Sequence, residues 1–353
     1  MTIIAMMLGM LALGGGMRGT AEGFHRDYMA PSRMRYWKGL CVLLILLSHY
    51  TGYICTDTAD ESYLMLRQWL GQSPVMLFFF CSGYGMMKQA IRRGRGYLTS
   101  LPGRFSRIWL TCAVSVALML VVQMARGRTY MPVTIAMAFA CWANVGNSTW
   151  YIFVILVSYV LFALSILPMC LKPGMMNRML AAVLLTGLTA AFVAWMQHME
   201  LEEYWYDTVM LLPLGAWWAL TDRHGERLIQ RSGLTWVLTV LVMSAAAMTL
   251  FVHRDDSFWM HEGWLTTFCA LIVLLSMKVT PVSRLLGFCG DHVLPIYLFQ
   301  RIPMIILYES GLLDSVPHLG LFVTLAACAV MAMVYDGVTQ AIGRRLERKQ
   351  IHQ

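Results

Sequence analysis

The sequence predicts an all-α polytopic membrane protein, with about ten transmembrane helices plus one re-entrant or interfacial segment. Of 353 residues 58% are apolar and only 13% are charged, and the mean hydropathy is +0.61. A soluble domain does not carry a surface that poor in charge. Apolar runs near the roughly 20 residues that cross a hydrocarbon layer follow one another with short loops. Between those runs, loops rich in Lys and Arg alternate with loops rich in Asp and Glu, the pattern that separates cytoplasmic from external faces.

The expected spans lie near 39–55, 69–87, 108–125, 149–170, 179–197, 205–220, 234–252, 262–277, 286–307 and 317–336. The first loop to fix direction is 88–107, which carries Lys88, Arg92, Arg93, Arg95, Arg104 and Arg107 and no acid. It belongs inside. The segment 198–207 carries Glu200, Glu202, Glu203 and Asp207 with no Lys or Arg, so it belongs outside. Asp57, Asp60 and Glu61, then Asp255, Asp256 and Glu262, then Glu309 and Asp314 mark further external loops. Arg223, Arg227 and Arg231, Lys278 with Arg284, and the tail Arg344, Arg345, Arg348 and Lys349 mark internal ones. Both termini are then cytoplasmic, in an inner membrane. The apolar stretch 131–147 must enter and leave on the outer side or lie in the interface, which leaves Arg126 and Arg128 outside as a mild violation of the rule.

Residues 1–34 form an amino-terminal extension, 35–340 a single membrane-embedded domain and 341–353 a basic cytoplasmic tail. Met1 to Met17 is apolar and lacks the basic opening and cleavage site of a signal peptide, so it is expected to lie on or loosely in the membrane. Nine cysteines are scattered through the spans with no C-x-x-C pair and no Cys/His cluster at metal spacing, and they read as packing residues. The net charge of +8 comes from the inner loops and the ends, which points to anionic lipid and away from nucleic acid. No phosphate loop, G-x-S-x-G elbow or H-E-x-x-H motif is present, and Asn147-Ser148-Thr149 fits a glycosylation sequon by pattern alone.

His49 is the ionisable group that the first apolar run cannot carry without a task, because a polar side chain at that depth is costly. Lys38 stands at the mouth of the same run, eleven residues earlier. At 100° per residue that is three turns with about 20° left over, so both share one face, about 16 Å apart along the axis. A cation at the entrance with a base deeper on the same stripe suits an anionic ligand that enters from the cytoplasm and reacts at its tip.

The run Lys38 to His49 resembles the opening signature of the acyltransferase-3 family of integral membrane O-acyltransferases, a basic residue and a His with ten positions between them. Phe78-Phe79-Phe80-Cys81-Ser82-Gly83-Tyr84 is similar to the family's aromatic pair followed by Ser-Gly and an aromatic. Arg104-Phe105-Ser106-Arg107 is similar to its paired arginines, and Trp150-Tyr151-Ile152-Phe153 to its Trp-aromatic helix start. Gly290-Asp291-His292-Val293-Leu294-Pro295-Ile296-Tyr297-Leu298-Phe299-Gln300 follows its Gly-x-x-Ser-x-x-Ile-Tyr-Leu-x-His element, with Val293 and Gln300 as departures and Lys38 where Arg is commoner.

This resemblance implies transfer of an acyl group, most often acetyl, from cytoplasmic acyl-CoA to a hydroxyl of an envelope glycan or related acceptor. His is the side chain whose pKa suits removal of the hydroxyl proton near neutrality, so His49 is the expected general base, and Lys38 at the mouth of the same run is the second expected catalytic group. Arg104 and Arg107 are the expected cofactor-binding pair, since guanidinium forks grip phosphate. Ser82 and Gly83 are expected to line the donor's path, and Trp150, Tyr297 and Gln300 to meet the acceptor. Acetyl-CoA is the expected donor, no metal is needed, and Arg92, Arg93 and Arg95 read as topology signals. Tyr204, Trp205, Tyr206 and Asp207 with Phe258, Trp259, His261 and Glu262 read first as an interfacial belt and second as a sugar surface. A proton-coupled secondary transporter and a non-catalytic partner in an envelope assembly are the alternatives.

Overall fold

A computed structural model describes residues 15–20, 23–54 and 72–351, with the side chains of all of these except 15, 17, 18, 314 and 343–351. The external acids Asp57, Asp60 and Glu61, residues 1–14, and the side chains of the basic tail lie outside what is described.

Helices dominate. In chain order they are α1 (Pro31–Tyr50), α2 (Ser73–Arg93), α3 (Leu101–Ala125), α4 (Pro132–Phe139), α5 (Trp150–Ser165), α6 (Met175–His198), α7 (Leu211–Ile229), α8 (Gly233–Val252), α9 (Phe258–Ser276), α10 (Arg284–Asp291), α11 (Val293–Phe299), α12 (Arg301–Glu309) and α13 (Pro317–Ile351). Among the described residues five helical segments are long and apolar enough to cross a membrane: Arg95–Ala125, Met175–His198, Gly233–Val252, Phe258–Ser276 and Pro317–Ile342. The chain is an all-α membrane protein, and the apolar helices differ widely in how far they are buried. In α8 only Ala247 is buried, whereas α1 buries half its length, from Met34 to Tyr50.

The interval 286–307, expected as one span, is three short helices. Pro295 and Pro303 each stand third in a helix, where the ring displaces the carbonyl four residues back, and the breaks fall at those points, around Asp291 and Phe299. The stretch 131–147 holds only the eight-residue α4, about 12 Å long and too short to cross. Cys141 just beyond it adopts a left-handed backbone, φ 63°. Arg126, the apparent violation of the charge rule, forms an ion pair with Glu309, so this cation at the acidic end has an acid beside it.

Residues 15–17, expected to continue an apolar membrane-associated piece, instead belong to β1 (Gly15–Gly19), paired antiparallel with β2 (Val279–Ser283). A backbone strand next to another strand satisfies its amides there, where lipid would leave them unpaired. In the first turn of α1, Arg33 donates to Asp27 of the preceding segment at 2.7 Å and holds that carboxyl below its ordinary range.

Two glycine contacts set the centre of the bundle. A Cβ on Gly39 would lie 2.0 Å from the Leu286 carbonyl oxygen, and one on Gly290 would lie 1.8 Å from that of Arg35, so α1 and α10 touch backbone to backbone. Gly83 and Gly215 do the same for α2 and α7, with a Cβ on Gly83 falling 1.8 Å from the Leu212 carbonyl. Small residues allow such approaches in lipid, where dispersion replaces the hydrophobic effect as the force between helices.

Candidate functional site

Two cavities open along α1, one toward each end. The first, of about 580 Å³, is lined by Ile45, Ser48, His49 and Gly52 of α1 and the turn after it, with Val75, Trp142, Asn144, Trp150, Tyr204, Trp205, Tyr297 and Arg301 among the other walls. His49 is half-buried and faces this space. Its ring centroid lies 6.3 Å from that of Tyr297, which lies 5.6 Å from Tyr151. The Tyr297 hydroxyl is buried without a hydrogen-bond partner among the described residues. Trp150 packs edge-on to Tyr204 at 5.6 Å.

The second cavity, of about 440 Å³, is lined by Lys38 and Met34 of α1, by Cys81, Tyr84, Gly85, Lys88, Gln89 and Arg92 of α2, and by Met29 and Pro31. Lys88 pairs with the buried Asp222 of α7 at 2.5 Å, and the Tyr84 hydroxyl donates to the same carboxylate at 3.1 Å. Arg104 donates to Gln89, and its guanidinium lies 5.1 Å from the centre of the Tyr97 ring. A buried carboxylate shared by an ammonium and a phenol is satisfied, so Lys88 is held in place at the rim.

No lining residue is common to the two. Along α1 they are separated by the seven steps from Lys38 to Ile45, about 10 Å. Phe78, in the matching interval of α2, packs edge-on to Tyr151 with centroids 6.3 Å apart, and Phe79 does so at 5.1 Å. Phe78, Phe79, Tyr151 and Tyr297 thus form an aromatic layer of touching rings that ends in the wall of the cavity that holds His49.

The residues expected from the sequence divide between these places. His49, Trp150 and Tyr297 come together in the first cavity, and Lys38 lines the second. Arg104 reaches the second through Gln89, but Arg107, three positions on, is exposed; steps of 100° put the two about 60° apart, and only one turns toward α2. Gly83 lies in the α2–α7 contact and is not among the residues lining the second cavity, while Gly85, whose Cβ would meet open space, lines it. Ser82 is half-buried beside Cys81. Gln300 is buried with its amide nitrogen donated to the Tyr297 carbonyl at 2.9 Å, and its neighbour Arg301 takes the cavity wall. Of the interfacial aromatics, Tyr204 and Trp205 turn into the first cavity while Trp259 is 75% exposed.

Lys88, Arg92 and Arg301 are the site residues that the sequence reading passed over. For Arg301 the signal was present: it is the one charged residue between Val293 and Tyr308, as isolated in an apolar run as His49. For Arg92 there was none, since its loop is basic throughout.

No curated protein and no solved structure matches the chain. A family model described as an acyltransferase domain matches residues 32–336, which takes in both cavities and every helix from α1 to most of α13. The chain therefore belongs to the acyltransferase-3 family and is a membrane acyltransferase.

Proposed function

We propose that this protein is an acyl-CoA-dependent O-acyltransferase of the inner membrane that modifies a hydroxyl of an envelope glycan or related acceptor. The observation that carries the reading is the division of α1 between two cavities, a cationic one at Lys38 and an aromatic one at His49. Coenzyme A is a polyanion at one end and a thioester at the other, and Lys38, Lys88 and Arg92 suit its phosphates at the end that the charge pattern assigns to the cytoplasm. The pantetheine arm displaces the aromatic layer between Phe78 and Tyr151 and brings the thioester to His49. Aromatic walls suit the apolar faces of a sugar.

The hydroxyl oxygen attacks the thioester carbonyl carbon as His49 takes the hydroxyl proton. A carbon–oxygen ester bond forms, the carbon–sulfur bond breaks, and the imidazolium returns the proton to the departing thiolate. Both termini are cytoplasmic in this arrangement, residues 35–340 form the catalytic unit, and acetyl is the favoured acyl group. Membranes supplied with radiolabelled acetyl-CoA test it. Label entering a glycan or lipid-linked sugar with the wild type and not with His49→Ala is the expected result, and equal label from both contradicts the assignment of the base.

A further inference from the structure

Among the described residues, the cavity around His49 holds a guanidinium with no acid in its lining. Arg301 opens α12, lines that cavity and is half-buried, and its Nε has no hydrogen-bond partner among the described residues. Two other cations at the cavities or near the outer end have acids beside them, Arg126 with Glu309 and Lys88 with Asp222. Arg301 makes no ion pair among the described residues, and no Asp or Glu is among the described residues that line its cavity. A cation held in a partly enclosed, aromatic-walled space is costly unless something bound there answers it.

We infer that Arg301 binds a carboxylate of the acceptor, so that the acceptor class is an acidic sugar, such as a uronic acid, rather than a neutral one. The inference rests on the acyl-transfer reading for the identity of this cavity as the acceptor's. A guanidinium fork matches the two oxygens of a planar carboxylate. The count of cations favours a carboxylate over a phosphate, since among the described residues the cavity at Lys38 brings Lys38, Lys88 and Arg92 to its walls and this one brings Arg301 alone as a Lys or Arg. Trp150 and Tyr204 supply flat apolar surface for the ring that bears the carboxylate. The Tyr297 hydroxyl, without a hydrogen-bond partner among the described residues and four residues before Arg301, supplies a second donor in the same wall.

Binding of cellobiouronic acid, of cellobiose and of a cellobiose phosphate to the purified full chain carrying His49→Ala measures this without turnover. The expected result is tighter binding of the uronic acid than of cellobiose by about tenfold to a hundredfold, the worth of one charge-assisted contact. Adding Arg301→Gln removes that preference, and Arg301→Lys restores part of it. Acetyl-CoA binding at the other cavity reports that each variant is folded; should Arg301→Gln fail that check, Arg301→Lys carries the test by a reduced preference. An unchanged preference in the Arg301 variants, equal binding of the uronic acid and cellobiose by the parent, or a tighter Arg301-dependent grip on the phosphate overturns the inference. Acyl transfer by the wild type is scored separately. Transfer with no acid preference removes this inference alone, and a preference without transfer removes the enzymatic reading alone.

Discussion

The two ends of α1 are built on opposite principles. At the Lys38 end, Lys38, Lys88 and Arg92 crowd a small cavity, with Lys88 held by Asp222, and behind its wall Arg104 leans on Tyr97 and Gln89. At the His49 end, aromatic rings form the walls, one guanidinium supplies the charge beside the imidazole, and no lining acid balances it among the described residues. The first end suits a ligand carrying several negative charges, and the second a ring held between aromatic faces with a single charge contact. A single helix joins them over about 16 Å, which lets one molecule span both recognition modes.

The comparison breaks most sharply at His49. Replacing it with Gln is expected to lower acyl transfer by about 10²–10⁴, the range a positioned base supplies. Acetyl-CoA binding, measured by calorimetry, stays as in the wild type because Lys38, Lys88 and Arg92 lie in the other cavity. A matching loss of both would merge the two ends into one site.

Next in size is a change at the centre. Gly83→Val places a side chain against the Leu212 carbonyl, and about 3 kcal/mol or more of destabilisation is expected as α2 and α7 part. Gly85→Ala, two residues on, adds its methyl to open space and leaves the thermal unfolding midpoint in detergent unchanged. Equal effects of the two would show that the α2–α7 contact is looser than the geometry indicates.

Smaller effects sharpen the comparison. Lys38→Gln is expected to raise the KM for acetyl-CoA about tenfold, a difference that shrinks as salt is added. Trp150→Ala is expected to raise the acceptor's KM severalfold with little response to salt, the loss of one aromatic contact. Salt sensitivity exchanged between these two variants would reverse the assignment of donor and acceptor ends.

How much of this was legible in the sequence follows from what each residue has to do alone. His49 and Lys38 stand out because ionisable groups in an apolar run are costly and their spacing fixes a shared face. The helix positions were legible from hydropathy, yet an apolar run such as α8 buries almost none of its length, while the helices that carry the site are shorter or more polar and lie within. Pro295 and Pro303 were visible, but only packing shows that they split one apolar interval into three helices. Gly83 and Gly85 are alike in sequence; α7 passes close to one and not the other. Arg107 and Arg104 share a motif, and a turn of about 60° sends only one toward Gln89. Gln300 and Arg301 are adjacent, and the start of α12 decides which of them faces the cavity.

The central claim is that donor and acceptor reach one reaction from opposite faces. Proteoliposomes with the protein in one orientation test it, with acetyl-CoA confined to the Lys38 face and a hydroxyl-bearing glycan confined to the other. Radiolabel entering the glycan only when the two are on opposite faces, in the direction set by Lys38 and His49, is the result expected. Label entering the glycan only when both are supplied on the same face would contradict the account.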